Sequence, residues 1–154
     1  MTGRIDARLA ELGITLPAAP APAANYVPYV RTGSLVFVSG QISQGPGGPI
    51  RGCLGQDLDV AAGAAAARSC GLAIIAQLRT ACDGDLDRVV RAVKLTGFVN
   101  STAGFTDQPK VINGCSDLMV EVFGEAGRHA RAAVSAPSLP LGVAVEVDAV
   151  FEVR

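Results

Sequence analysis

Several kinds of residue are scarce in this chain of 154 residues, and each scarcity excludes a class of protein. Tryptophan is absent, and the only histidine is His129. A structural zinc site needs several thiolates or imidazoles, and no pair of cysteines has C-x-x-C spacing, so no metal is predicted. The cysteines are instead expected to be reduced and mostly buried, as in a cytosolic protein. They are Cys53, Cys70, Cys82 and Cys115.

Charge and long apolar runs are also limited. Charged residues make up 18% of the chain and the formal net charge is −1, so no overall basic surface for nucleic acid is predicted, although Arg128, His129 and Arg131 form a local basic cluster. The first residues carry charges where a secretory signal needs an apolar run. No segment is expected to supply the ~20 apolar residues of a membrane span. We therefore expect a cytoplasmic protein without a membrane partner.

The content that is present indicates one globular domain with an N-terminal addition. Hydrophobic residues make up 49% of the chain, enough to bury a core without disulfides. Residues 4–12 have the spacing of a short amphipathic helix, and a Pro/Ala-rich extended arm follows. We expect residues 1–24 to form a helix and arm packed on a domain of residues 25–154.

The next segment has the pattern of a β-hairpin. Residues 35–38 read Leu-Val-Phe-Val and predict a buried strand, with residues 26–31 as its partner. The glycine-rich stretch that follows, QGPGGPIRG, lacks the Walker pattern, so it is predicted to be a turn and not a phosphate-binding loop.

Two helices are predicted in the middle of the chain. Residues 57–81 are rich in alanine and free of proline. We expect the first helix to present one face formed by Leu58, Ala62, Ala65, Leu72, Ile75 and Ala76. The second should begin near Asp107 as N-cap, with Pro109 in its first turn, and run to about Phe123.

The remaining segments alternate as strands do. In residues 88–99 we expect Val89, Val93, Leu95 and Val99 on one side, and Val90, Lys94 and Thr96 on the other. Residues 131–136 predict a short strand. Residues 143–151 predict a long one, with valines on one side and Glu146 and Asp148 on the other.

The predicted order is ββαβαββ, which favours an α+β sandwich with both helices on one face of a mixed sheet. The other face keeps apolar residues, among them Val90, Ala92 and Phe98. Burying such a face needs a partner, so a homo-oligomer is expected on physical grounds alone.

Two separated motifs resemble the signature of the YjgF/RidA family. The C-terminal block RAAVSAPSLPLGVAVEVDAV has an Arg, a Val three residues later, a Leu-Pro turn and a strand with V-E-x-x-A. The segment PYV…LVFVSGQ is similar to the family's first hairpin. The resemblance covers about residues 25–153. The N-terminal extension and the longer glycine-rich loop indicate a distinct branch.

The resemblance implies a chorismate-mutase-like fold, a homotrimer with ligand clefts between subunits, and no cofactor. It also implies hydrolysis of 2-aminoacrylate and related 2-imino acids to 2-keto acids and ammonia. Some members were named as endoribonucleases or translation inhibitors. One histidine and a net charge of −1 argue against a ribonuclease here. A trimer that binds small carboxylates without catalysis remains open as the alternative.

Arg131 and Glu146 are the principal candidate site residues. A guanidinium fork matches a carboxylate bidentately, and an imino acid always carries one. By residue type and spacing alone, a surface arginine at a strand start is the more common explanation of Arg131. Glu146 is either a solvated carboxylate on the outer face of a strand or an acid/base that directs water onto the imine carbon. The matched motif favours the functional interpretation of both.

The other candidates would frame the ligand. Tyr29 offers a hydroxyl, and Ser39 and Gly40 offer nearby backbone, although a hairpin edge and a strand end explain these residues equally well. The family places an Asn on the second helix near the cleft, and the register leaves Asn113 and Ser116 open for that place. Many members carry Cys two residues after the Arg. Here Ala133 occupies that position, so a role for that thiol is excluded.

Overall fold

The computed structural model describes residues 2–21 and 24–154. In these ranges the helices are α1 (Arg4–Glu11), α2 (Val60–Ala81) and α3 (Gln108–Phe123). The strands are β1 (Tyr29–Thr32), β2 (Leu35–Ile42), β3 (Gln44–Gly45), β4 (Gly48–Pro49), β5 (Val89–Asn100), β6 (Ala130–Ala136) and β7 (Val145–Val153). The predicted ββαβαββ order is confirmed, with α1 before it and the small β3–β4 hairpin inside the glycine-rich loop.

The main sheet has five strands in the order β1-β2-β7-β5-β6. Strand β7 lies at its centre and pairs antiparallel with β2 and β5, whereas β5 and β6 pair in parallel. A parallel pair needs a crossover, and α3 supplies it. The predicted alternation of β7 is confirmed, since buried residues alternate with half-buried ones along its whole length.

Helices α2 and α3 cover one face of this sheet, and glycines allow them to approach closely. A Cβ atom on Gly114 of α3 would lie 1.9 Å from the carbonyl oxygen of Ala64 in α2. A Cβ atom on Gly97 of β5 would lie 2.5 Å from Ile112. The packing between helices and sheet therefore depends on glycine at these positions as much as on apolar side chains elsewhere. The predicted α3 is confirmed from Pro109 to Phe123.

The predicted buried face of α2 is partly wrong. Ala65 is exposed, Ala62 and Leu72 are half-buried, and Leu58 precedes the helix. The buried face instead includes Ala66, Ala67, Cys70, Ala73, Ile74 and Leu78. Because alanine lies on every side of the first three turns, hydrophobic periodicity does not select a face there. The helix is also long and apolar enough to match a membrane span by length and composition, which the sequence was not expected to contain. Here it packs on the sheet as a core helix.

The side assignment in β5 also needs correction. Ala92 is fully buried and Val93 only half-buried, the reverse of the prediction. The pairing of β5 with β7 shifts between Val89 and Arg91 and again between Ala92 and Lys94. A β-bulge inserts one residue and moves the following side chains to the other face. Strict alternation therefore failed at the bulges and holds from Leu95 onward.

The N-terminal helix is fastened to the domain by polar contacts. Asp87 accepts hydrogen bonds from the backbone N–H groups of Arg4 and Ile5, each at 2.8 Å, and Asp6 forms an ion pair with Arg79. Ile5 and Leu9 are buried in the core. The arm is held by α2, because the buried side chain of Gln77 donates to the carbonyl of Pro20 in the arm at 2.6 Å. Pro22 and Ala23 of the predicted arm lie outside the described residues.

The face opposite the helices is open and mixes apolar with polar side chains, since Thr96 and Asp148 pair at its centre. Phe37 on β2 and Val134 on β6 are 46% and 44% exposed. Register places Val150 beside Phe37, and Phe98 between Glu146 and Val134. Large apolar side chains exposed side by side on a sheet are typical of a contact face.

Candidate functional site

Arg131 lies at the edge of the helix-covered face, where β6 meets α3. It is the register partner of the buried Leu95, so its side chain leaves the sheet toward the helices. Its Nη1 donates to Asn113 Oδ1 at 2.8 Å and to Ser116 Oγ at 3.2 Å. The two residues that the register left open therefore both contact Arg131, because they lie about one turn apart on the same helix.

His129 completes this group, which we call the arginine cluster: Asn113, Ser116, His129 and Arg131. The His129 Nε2 atom is 2.8 Å from Ser116 Oγ, and its Nδ1 atom is 2.6 Å from the carbonyl oxygen of Gly127. The cluster lines a pocket of about 280 Å³. No ion pair joins Arg131 to any carboxylate in the described part of the chain. Arg128 and Asp117 also line the pocket, so its two arginines outnumber its one carboxylate and it can receive a small anion.

Glu146 lies on the open face, beside Gly40. Its neighbours in β7, Val145 and Val147, point into the core, so the Glu146 side chain points away from it. A Cβ atom on Gly40 would lie 2.2 Å from Glu146 Oε1, so the absence of that atom makes room for the carboxylate. Partial burial, and then the nearby Asp148, raise the pKa of the Glu146 carboxyl above its usual range. A carboxylate with a raised pKa suits proton transfer near neutral pH.

Tyr29 and Ser39 lie at the other edge of the sheet. Tyr29 pairs with the buried Val38, so it lies on the helix-covered face and packs against the core. Ser39 Oγ donates to the carbonyl of Val27 at 2.7 Å, which holds the chain that leads into β1. These residues are close to one another, but not to Arg131.

The predicted site residues therefore form separate groups within one chain. Arg131 and Glu146 leave opposite faces of the sheet. Tyr29 and Arg131 lie on its two edge strands, separated by four strand spacings, or about 19 Å. A small ligand cannot bridge these groups within one chain.

His129 was singled out in the sequence only as part of a basic cluster. The available signal was its position two residues before Arg131, since residues two apart on a strand share a side. Its contact with Ser116 depends on the docking of α3 onto β6, which no local pattern reveals.

The fold and these residues define a class of protein. The family described as "YjgF/chorismate mutase-like, putative endoribonuclease" matches residues 6–152. The chain belongs to this family, as its two motifs indicated.

Relatives extend the likeness over nearly the whole chain. Protein TCP17 of Trypanosoma cruzi is 54% identical over 99% of this chain and 96% of that protein. The crystal structure of the protein Atu1372, of unknown function, from Agrobacterium tumefaciens has a TM-score of 0.90 at 48% identity, over 97% of this chain and 92% of that one. Escherichia coli TdcF, solved with bound serine, gives a TM-score of 0.61 at 27% identity, over 88% and 93% of the two chains.

Proposed function

We propose that this protein hydrolyses small 2-imino acids to 2-keto acids and ammonia, at clefts between the subunits of a homotrimer. The observation that carries the proposal is the arginine cluster. A guanidinium is held at a pocket by two neutral side chains, Asn113 and Ser116, with its charge not used in an ion pair among the described residues. A substrate carboxylate supplies the missing partner.

An inter-subunit cleft is supported by the separation of the candidate residues. Arg131 and Glu146 leave opposite faces of one sheet, so they can serve one ligand only if they come from different copies. The open face carries exposed Phe37 and Val134, and it offers the contact surface that such an assembly needs. Three copies are what the family resemblance implies.

The proposed reaction needs only water as co-reactant. Arg131 binds the carboxylate, and Glu146 of a neighbouring subunit takes a proton from water as its oxygen bonds to C2 of the imine. The imine binds protonated at nitrogen, so addition of the water oxygen gives a neutral amino-alcohol intermediate. Glu146 then returns its proton to that nitrogen, and the C–N bond breaks as the C2 hydroxyl loses its proton to the solvent, which leaves ammonia and the 2-keto acid. Tyr29 and backbone near Ser39 and Gly40 frame the reacting end.

The ligand of a relative supports the substrate class. TdcF of Escherichia coli was solved with bound serine, a small molecule with a carboxylate and a nitrogen on the same carbon. A 2-imino acid has the same two groups at the same spacing.

The test generates 2-imino acids with an amino-acid oxidase and lets semicarbazide compete with the protein for them. The wild type should increase 2-keto acid formation at the expense of the semicarbazone. Arg131→Ala should raise KM, and Glu146→Gln should lower kcat by about 10²- to 10⁴-fold. Arg128→Ala is the matched control, because that arginine lines the same pocket but is already paired with Glu125.

The outcomes separate an enzyme from a binding protein. If several imines are not hydrolysed, but pyruvate binds to the wild type and not to Arg131→Ala, the protein is a carboxylate binder and the proposed catalysis is wrong. If Arg131→Ala retains full activity, the arginine cluster is not the substrate site.

A further inference from the structure

We infer that His129 is a positioning residue for the carboxylate site: through Ser116 it fixes which edge of the Arg131 guanidinium faces the ligand. The inference rests on the proposed function for the identity of the ligand. Its geometric basis is a continuous chain of contacts from Gly127 through His129 and Ser116 to Arg131.

The carbonyl of Gly127 determines which atom donates and which accepts in each of these hydrogen bonds. A carbonyl oxygen can only accept, so the contact of 2.6 Å requires a hydrogen on Nδ1 of His129. In the neutral imidazole, Nε2 then carries a lone pair and no hydrogen. The tautomer of His129 is therefore determined by the backbone and not by the ligand.

The tautomer of His129 in turn determines the direction of its hydrogen bond with Ser116. Because Nε2 accepts, the hydroxyl of Ser116 must donate its only hydrogen across the 2.8 Å contact. The lone pairs of Ser116 Oγ are then free to accept from Arg131 Nη1, at 3.2 Å. Without His129, the Ser116 hydroxyl has no fixed acceptor, and the carbonyl four residues earlier then competes as its partner, so the orientation that accepts from Arg131 is no longer enforced.

The consequence for Arg131 follows from counting hydrogens. Nη1 carries two, and both are used, one by Asn113 and one by Ser116. The hydrogens on Nε and Nη2 make no hydrogen bond with the described residues. Nε–H and one Nη2–H are parallel donors and match the two oxygens of a carboxylate. The cluster thus leaves the Nε–Nη2 edge of the Arg131 guanidinium to the ligand and engages the Nη1 hydrogens itself.

His129 lines the pocket, but its ring nitrogens bond within the protein and not toward a ligand. It immediately precedes β6, it is half-buried, and both ring nitrogens are already engaged within the protein. Its effect on binding must therefore pass through the Ser116 hydroxyl.

The experiment uses the full chain and the fact that it contains one histidine. The ¹⁵N resonances of the imidazole at a pH where it is neutral should show the Nδ1–H tautomer. Affinity for pyruvate should fall by about 5- to 30-fold in both His129→Ala and Ser116→Ala, the loss of one hydrogen bond to a charged group. The double variant should be no weaker than either single one. His129→Gln, which restores an acceptor for Ser116, should recover most of the affinity.

The readouts also separate this inference from the proposed function. In the deaminase assay, KM should rise with the pyruvate Kd while kcat stays nearly constant. An Nε2–H tautomer, additive losses in the double variant, or no loss in His129→Ala would each overturn the inference, whether or not the protein hydrolyses imines. Absence of pyruvate binding by the wild type would overturn it together with the carboxylate site. Binding that follows the expected pattern without turnover would uphold it and reject only the catalysis.

Discussion

The two faces of the five-stranded sheet differ in how complete they are. On the helix-covered face, α2 and α3 bury the core, and the arginine cluster at its edge has its internal hydrogen bonds formed within one chain. On the open face, Glu146 stands beside Gly40 and near Asp148, and Phe37 and Val134 of the same face are exposed. The covered face supplies a binding group in its working orientation, whereas the open face supplies a reactive group that lacks a cavity.

This difference teaches where a partner subunit is needed. A binding arginine can be positioned by local neighbours such as Asn113 and Ser116. A carboxylate whose pKa must be raised further needs removal of water, which the open face alone does not provide. Association would therefore complete the catalytic group and leave the binding group almost unchanged.

The largest expected effect comes from placing a charge on the open face. Val134→Asp would place a carboxylate beside Phe98, where a partner copy would bury it at a cost of several kcal/mol in each contact. Sedimentation at micromolar concentration should change from an oligomer to a monomer, and deaminase activity should disappear. Ala103→Asp, in an exposed turn, is the control and should leave both unchanged. A wild type that is already monomeric would contradict the inter-subunit site.

On the covered face, the expected effect is on stability. In Gly114→Ala the new Cβ would lie 1.9 Å from the carbonyl oxygen of Ala64, a backbone atom that cannot move aside cheaply. The free energy of unfolding should fall by about 1–3 kcal/mol, observed as a lower Tm in thermal denaturation. Gly104→Ala, where no atom lies within 4 Å, should leave the Tm nearly unchanged. Equal effects of the two substitutions would mean that the close helix crossing is not important for stability.

The order of elements could be predicted because most of them have strong local signals. The alternation in β7 and the spacing in α3 are periodic over their full lengths, and both elements were predicted, although β7 begins and ends two residues later than expected. The buried face of α2 could not be predicted, since alanine is compatible with either side. The exchange of Ala92 and Val93 could not be predicted either, because a bulge is set by pairing with β7 and not by the residues of β5 alone.

The residues of the candidate site could be predicted from the sequence, but their arrangement in space could not. The motifs indicated Arg131 and Glu146, and the family resemblance indicated Asn113 or, in another register, Ser116. Their distribution over opposite faces depends on strand order and register, which are properties of the whole sheet. His129 joins the cluster through a contact between α3 and the residue before β6, and residue spacing along the chain carries no trace of that contact.

A smaller effect is expected at Gly40, which lies beside the Glu146 carboxylate on the open face. In Gly40→Ala the new Cβ would lie 2.2 Å from Glu146 Oε1. Because that atom ends a flexible side chain, the carboxylate can turn away at little cost in stability. Deaminase kcat should fall by about 10- to 100-fold, as expected for a displaced general base, and affinity for pyruvate should stay near the wild-type value.

Gly47→Ala is the matched control for this substitution, since no atom lies within 4 Å of the position that its Cβ would take. It should preserve kcat. A loss of pyruvate affinity in Gly40→Ala equal to the loss of kcat would indicate that the two faces do not divide binding from catalysis as proposed.

The smallest expected effect is on the pH dependence of Glu146. The Asp148 carboxylate on the same face is the second cause, after burial, of the raised Glu146 pKa. Asp148→Asn removes that negative charge and should lower the pKa of Glu146. A general base acts when it is deprotonated, so kcat/KM falls as pH decreases through this pKa. The acid limb of the pH profile should therefore move to lower pH, with a slightly lower plateau because the base is weaker.

Glu152→Gln is the control: that residue lies farther along β7 and is not a cause of the pKa shift, so the acid limb should stay in place. A limb that stays put or moves to higher pH in Asp148→Asn would mean that another group acts as the base, because removal of a neighbouring negative charge can only favour the ionised form of Glu146.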